Sequence, residues 1–176
     1  DKHMKLQKSL DAFLFCCYAG MRYSDFTNLS KKNIVDINQE TWLIYKSVKT
    51  GTEVRLPLYL LFAGKGIVIL NKYRNNLEDF FRLRDNSNIN KDLIIIAKLA
   101  GLSKKISFHT ARHTNATLLI YNGVNITTVQ KLLGHKSVKT TQVYTNIMDM
   151  TIVHDLEKMK QAALGIKKKT DNSFNK

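Results

Sequence analysis

Cysteine is scarce in this sequence, and the two present, Cys16 and Cys17, are neighbours. With no partners elsewhere, and inside an apolar segment of helical pattern, they read as buried free thiols of a reducing compartment rather than a disulfide or zinc site. Apolar runs are short as well. None approaches the roughly 18 residues that would span a bilayer, and the opening DKHMKLQKSL is polar, unlike a signal peptide. A cytoplasmic protein is the expectation. Acidic residues are few, 14 Asp+Glu against 28 Lys+Arg. No carboxylate cluster suggests a two-metal nuclease, and no Gly-x4-Gly-Lys-Ser/Thr loop supports nucleotide hydrolysis.

What remains is a strongly basic chain of ordinary hydrophobic content. Its net charge of +14 and pI near 9.8 point to a polyanionic partner, for which nucleic acid is the usual candidate. Charge alone says nothing about chemistry. The 176 residues suffice for one domain with its own core, with neither an internal repeat nor an internal linker.

Residues 4–19 place Leu6, Leu10, Phe13, Leu14, Cys17 and Tyr18 at helical spacing, which predicts a helix with one buried stripe and a stop at Gly20. Ser24 is the expected N-cap of a short second helix through Leu29. The pattern then turns to strands: NIVDI, TWLIYKS and TEVRLPL, with KTG marking a hairpin between the last two and Pro57, the only proline, ending the third. An antiparallel sheet of about three strands fits. Helices are expected over 66–82 and 88–100, the latter capped by Asn86 or Ser87, with the intervening RLRDNSNIN as a loop. Further helices are expected from Ser107 through Tyr121, from Asn125 to Leu133, from Ser137 across Tyr144, and over 149–163. The last stretch, GIKKKTDNSFNK, is polar, charged and expected to be disordered.

Several residue groups carry possible chemistry. Arg22 lies in AGMRYSD, Lys49 at the hairpin in SVKTG, and His109, Arg112 and His113 in HTARH on one helix. His135 precedes Tyr144 in LLGHKSVKTTQVYTN. Singly, each has an ordinary explanation: a solvated cation, a packed histidine, a core tyrosine. The i,i+4 pair His109 and His113 encloses Thr-Ala-Arg rather than the glutamate of a zinc-protease helix, which disfavours a metal.

Taken in order, AGMRYSDFTNL, KTG, HTARHT and LLGHKSVKTTQVY resemble the signatures of the tyrosine recombinases, the phage-integrase family of site-specific DNA recombinases. The resemblance runs from about Leu10 to Asn146. It implies an α+β catalytic-domain fold, mainly α-helical with a small three-stranded antiparallel sheet. Tyr144 is the implied nucleophile, Arg22 and Arg112 the phosphate clamps, His109 the general base or proton handler, and His135 a second phosphate ligand. Lys49 is the implied general acid, with Lys46 a nearby candidate, Asp25 supports the first arginine, and His113 is a structural neighbour. The implied partner is double-stranded DNA, without metal or other cofactor, with a homotetramer on recombination sites through the C-terminal helix and a monomer in isolation; residues 149–163 are the candidates for that helix, docking on a neighbouring protomer or packing back on their own core. Residues 1–165 are the expected catalytic domain, residues 166–176 a basic tail, and an N-terminal DNA-clamping domain is expected to be absent from this chain. A non-catalytic DNA-binding relative and a type IB topoisomerase-like enzyme are the alternatives.

Elementary chemistry supports these roles. A phenol of pKa about 10 is ionised only about one part in a thousand at pH 7, so attack on a phosphodiester needs a base or cationic surroundings. Charge gained by the non-bridging oxygens suits two arginines and a histidine donor. The departing 5′ oxygen needs a proton, the task of a lysine ammonium. Exchange of one phosphate ester for another conserves the bond, so rejoining needs no ATP.

Overall fold

A computed structural model describes residues 2–147 together with Ile152, Leu156, Glu157 and residues 159–161. The fold is α+β: helices gathered around α1 (Lys2–Ala19), with a three-stranded antiparallel sheet to one side. The sheet follows β1 (Ile34–Ile37), β2 (Glu40–Lys46) and β3 (Glu53–Pro57) in the order β1-β2-β3, with Leu43 opposite both Ile34 and Leu56. The three strands and the proline at the end of the last lie where the β-branched and aromatic runs place them.

α1 is more central than one apolar stripe implies. Its most deeply buried apolar residues are Ala12, Phe15, Cys16 and Ala19, while Leu6, Leu10, Phe13, Leu14 and Tyr18 are only partly covered. The reason is that α3 (Lys65–Lys72), α5 (Asn86–Leu99) and α6 (Phe108–Tyr121) all pack on it. Its buried polar residues are satisfied. Asp11 accepts from Lys72 Nζ at 2.9 Å and the Tyr73 hydroxyl at 2.8 Å, and Ser9 donates to Asp92.

Phe26 anchors the short α2 (Tyr23–Thr27) by meeting Phe15, Phe80 and Phe81 edge to face, at ring separations of 5.9, 5.3 and 5.5 Å. These pairs add to simple burial because aromatic edges and faces carry opposite partial charge. They fix Arg22 and Asp25, at the cap and in the first turn of the same helix.

Several local boundaries differ from expectation. α2 starts one residue earlier than Ser24, with Arg22 at the N-cap in extended conformation. The helix expected over 66–82 is two, α3 and α4 (Leu77–Phe81), because Asn76 leaves helical geometry and its side chain accepts from Asp79 N at 3.2 Å. Asparagine competes in this way with the helical backbone. Asp85, not Asn86 or Ser87, caps α5, accepting from Asn88 N, so the end of the expected loop is helical. Tyr144 sits on a 3-10 turn (Gln142–Ile147), preceded by another (Val138–Thr140) that Ser137 caps, rather than on a continuous helix. Ser107 and Asn125 cap α6 and α7 (Ile126–Leu133) as expected. The helix expected over 149–163 lies largely outside the described residues, although those described in it are helical; the 166–176 tail lies wholly outside them. No described helix is long and apolar enough to cross a membrane.

Candidate active site

Two helices end at the same place. α1 stops at Gly20 and α7 at Gly134, with φ of +68° and +62°, a conformation that costs glycine little. A helix C-terminus leaves carbonyls without intrahelical partners and carries partial negative charge. α6 lies between the two and answers both. Asn115 Nδ2 donates to the Cys17 and Tyr18 carbonyls at 3.0 Å each. Arg112 donates to the Gly20 carbonyl at 2.7 Å and the Leu133 carbonyl at 2.6 Å. Arg112 is 2% exposed, yet the described salt bridges give it no carboxylate partner. The two carbonyl ends supply the compensation. Burial, followed by the Arg22 charge, lowers its pKa to about 10, and it remains a cation at neutral pH.

The glycines also permit close approach. A Cβ on Gly134 would lie 2.6 Å from Val54 Cγ2, and one on Gly20 2.6 Å from Asn115 Oδ1. Gly134→Ala is therefore expected to destabilise the protein by about 1–3 kcal/mol from the backbone conformation alone, and more from the contact with Val54. Chemical denaturation would measure it; a change below 0.5 kcal/mol, roughly the effect of an indifferent surface substitution, would contradict the argument.

Arg22 is held from the other side. Its guanidinium donates to Asp25 Oδ2 at 3.4 Å and Ser47 Oγ at 3.2 Å. The Asp25 side chain is fully buried and also accepts from Ser47 Oγ at 3.3 Å and Val48 N at 2.8 Å. The same carboxylate thus orients Arg22 and fastens the start of the β2–β3 turn. The far side of that turn is fastened by Thr50, whose hydroxyl donates to the Gly134 carbonyl at 3.1 Å. Lys49 is exposed between these two anchors. Lys46, also exposed, lies a turn away at the end of β2, opposite Glu53.

His135 follows Gly134 and is 8% exposed, with Nδ1 2.9 Å from Thr141 Oγ1. Burial first, then Arg112 and Arg22, lower its pKa to about 4. In the unfolded chain it would protonate near pH 6.5. Because the folded protein holds the neutral form, this contribution to stability is complete above about pH 6.5 and is lost as pH falls towards 4. His109, lowered by burial and then by His113, Arg112, Arg22 and Lys49, acts in the same direction. Melting temperature should fall with acidification across that window, and less steeply in His135→Gln. Parallel profiles for the two proteins would refute the assignment.

The Tyr144 ring is 8% exposed. Its hydroxyl is 2.9 Å from His113 Nδ1, and the two rings meet at 62°. His109 stands one turn earlier on α6, edge-on to His113 with ring centroids 4.5 Å apart. Burial raises the Tyr144 pKa, opposed by Arg112 and Arg22. Arg22, Asp25, Arg112, His135 and Tyr144 thus converge around the ends of α1 and α7, with Lys49 and His109 at the exposed rim. Sequence reasoning missed Ser47, Thr50, Asn115 and Thr141, which position the others. Such small polar residues carry no signal until their partners are in place.

Residues 3–150 match the phage integrase family. The chain belongs to that family. Among its relatives, the tyrosine recombinase XerC of Rickettsia prowazekii is 30% identical over 159 residues, covering 85% of this chain and 49% of that protein. Tyrosine recombinase XerA of Saccharolobus solfataricus is 34% identical over 134 residues, covering 73% and 42%. This phage-integrase-family chain therefore spans about half the length, or less, of the curated relatives it matches. In fold it is similar to a crystal structure of XerA recombinase, at 25% identity and a TM-score of 0.64, covering 85% of this chain and 63% of that one. A lambda integrase dimer bound to a COC′ core site has the same TM-score at 22% identity, with 82% and 56% covered, a likeness of fold.

Proposed function

We propose that this phage-integrase-family chain is the catalytic domain, residues 1–165, of a site-specific recombinase that breaks and rejoins double-stranded DNA through a 3′-phosphotyrosine link at Tyr144. The observation that carries this reading is the position of Tyr144, from the far end of the chain, in the field of both Arg22 and Arg112. Arg22, Arg112 and His135 bind the non-bridging phosphate oxygens, where negative charge grows in the transition state. Asp25 and Ser47 orient Arg22. Lys49, carried between two fastened points of its turn, protonates the 5′ oxygen as it leaves. His109 stands at the exposed rim beside the phosphate. The reading is supported by relatives named tyrosine recombinases and by fold neighbours solved on DNA, including XerH on its difH substrate. The net charge of +14 suits a DNA backbone and makes binding salt-sensitive. On recombination sites the protein assembles as a tetramer through its C-terminal residues, and it acts on DNA in the cytoplasm.

The test begins in the source cell. Protein-linked DNA is recovered under denaturing conditions, sequenced, and remade as a duplex nicked beside the cleavage point, so that the released strand diffuses away. The expected product is a denaturant-resistant adduct whose DNA maps to Tyr144 by mass spectrometry. Absence of an adduct, or attachment at another residue, overturns the reading.

A further inference from the structure

We infer that His113, not His109, takes the proton from the Tyr144 hydroxyl when that oxygen attacks DNA. This deepens the function proposed above and rests on it.

The hydroxyl lies at full hydrogen-bonding distance, 2.9 Å, from His113 Nδ1, across 31 residues of sequence. With Nδ1 accepting, the ring's own proton lies on Nε2. The phenolic O–H then points at the imidazole, and the remaining lone pairs of the oxygen stay available to a phosphorus atom. His109 is placed for other work. The charges acting on it are those of Arg112, Arg22 and Lys49 as well as His113, and with burial they lower its proton affinity. That is a poor setting for accepting a proton and a good one for donating a hydrogen bond to a phosphate among the same cations. Among the described residues, the titratable groups in ring contact with His113 are Tyr144 on the 3-10 turn and His109 on its own helix; Arg22 and Arg112 act on Tyr144 itself.

In the step, the Tyr144 O–H bond breaks and its proton moves to His113 Nδ1. The phenolate oxygen bonds to phosphorus, the P–O5′ bond breaks with its electron pair on O5′, and Lys49 supplies the proton that completes the 5′-hydroxyl. Rejoining runs the same transfers backwards, returning the proton from His113 to Tyr144.

The test uses the full chain, the nicked duplex described above, and a second duplex with sulfur in place of the bridging 5′ oxygen. A thiolate leaves without protonation, so this substrate rescues the loss of an acid but not of a base. His113→Ala and His113→Gln are both expected to slow single-turnover adduct formation about 10²-fold, the lower end of general-base contributions, and equally on both substrates. Their rates should climb with pH where the parent has levelled off, as ionisation of Tyr144 replaces assisted transfer. The His113 side chain is exposed, so both variants should fold, with melting temperatures near the parent's. An adduct formed at the parent rate or faster, or a defect that the sulfur substrate relieves, overturns the assignment of His113. If the parent itself forms no adduct, or Tyr144→Phe still forms one, the fault lies instead with the proposed function.

Discussion

Tyr144→Phe is expected to bind the recovered DNA site as the parent does and to form no covalent adduct with it. The substitution removes one oxygen and leaves the ring in its packed position against His113. Among the described residues its hydroxyl makes one hydrogen bond, to an exposed imidazole that water can satisfy in its place. The stability change should therefore stay near the 0.5–1.5 kcal/mol of a typical net hydrogen bond. The chemical effect is total, since the phenolic oxygen is the proposed nucleophile and the buried Thr141 hydroxyl is committed to His135. Burial raises the Tyr144 pKa while Arg112 and Arg22 pull it down. A denaturing gel reads the adduct and a filter-binding assay reads affinity. Persistent adduct in Tyr144→Phe would assign the nucleophile elsewhere, whereas loss of DNA binding would mean that the hydroxyl organises the surface and not only the reaction.

Arg112→Ala should show the largest combined loss, in rate and stability together. Arg112 donates to the carbonyls that end α1 and α7, and its five N–H donors allow it to hold both while also donating to a phosphate. Removing it leaves two buried acceptors unsatisfied, each costing about 1–3 kcal/mol. Adduct formation should fall a further 10²–10³-fold at temperatures where the variant is still folded, the usual cost of one transition-state donor. Arg112→Lys keeps the charge without the planar fork that spans two carbonyls and a phosphate. It should lie between the parent and alanine in stability, yet remain close to alanine in rate. Denaturation curves and single-turnover rates measured on the same preparations separate the two roles. If folded Arg112→Ala forms adduct at the parent rate, Arg112 is a strut between helix ends and nothing more.

Much of the fold was readable along the chain because its cues are local. Ser107 and Asn125 are typical cap residues, and both stand at helix starts: Asn125 accepts from Thr127 N at α7, and Ser107 pairs with Thr110 at α6, its backbone N–H donating to Thr110 Oγ1. The β-branched and aromatic runs became strands with Pro57 at an end. Local cues failed where two of them competed. Around Asn76, apolar periodicity suggested one helix while the asparagine side chain favoured a cap, and stacking of Tyr73 on Phe80 at 4.1 Å accompanies the break. Around Asp85, a cap one position earlier than Asn86 pulled part of the expected loop into α5. α1 was underestimated because a stripe pattern describes packing on one side, and this helix is packed on several.

The sequence by itself determined which reactive side chains exist, their order, and the elements that carry them: Arg22 before a short helix, Lys49 on a hairpin, HTARH on a helix, His135 after a glycine stop, Tyr144 beyond it. These follow from neighbours a few residues apart. Tertiary structure decided how they meet. His109 and His113, four positions apart, share a helix face, so spacing cannot say which one Tyr144 reaches; the height at which residues 142–147 cross α6 sets that, and it selects His113. Nor can spacing show that Arg112 spans two helix ends contributed by Gly20 and Leu133, 92 and 21 residues away. Such contacts depend on the packing of whole elements, a property of the assembled core rather than of any short window of chain.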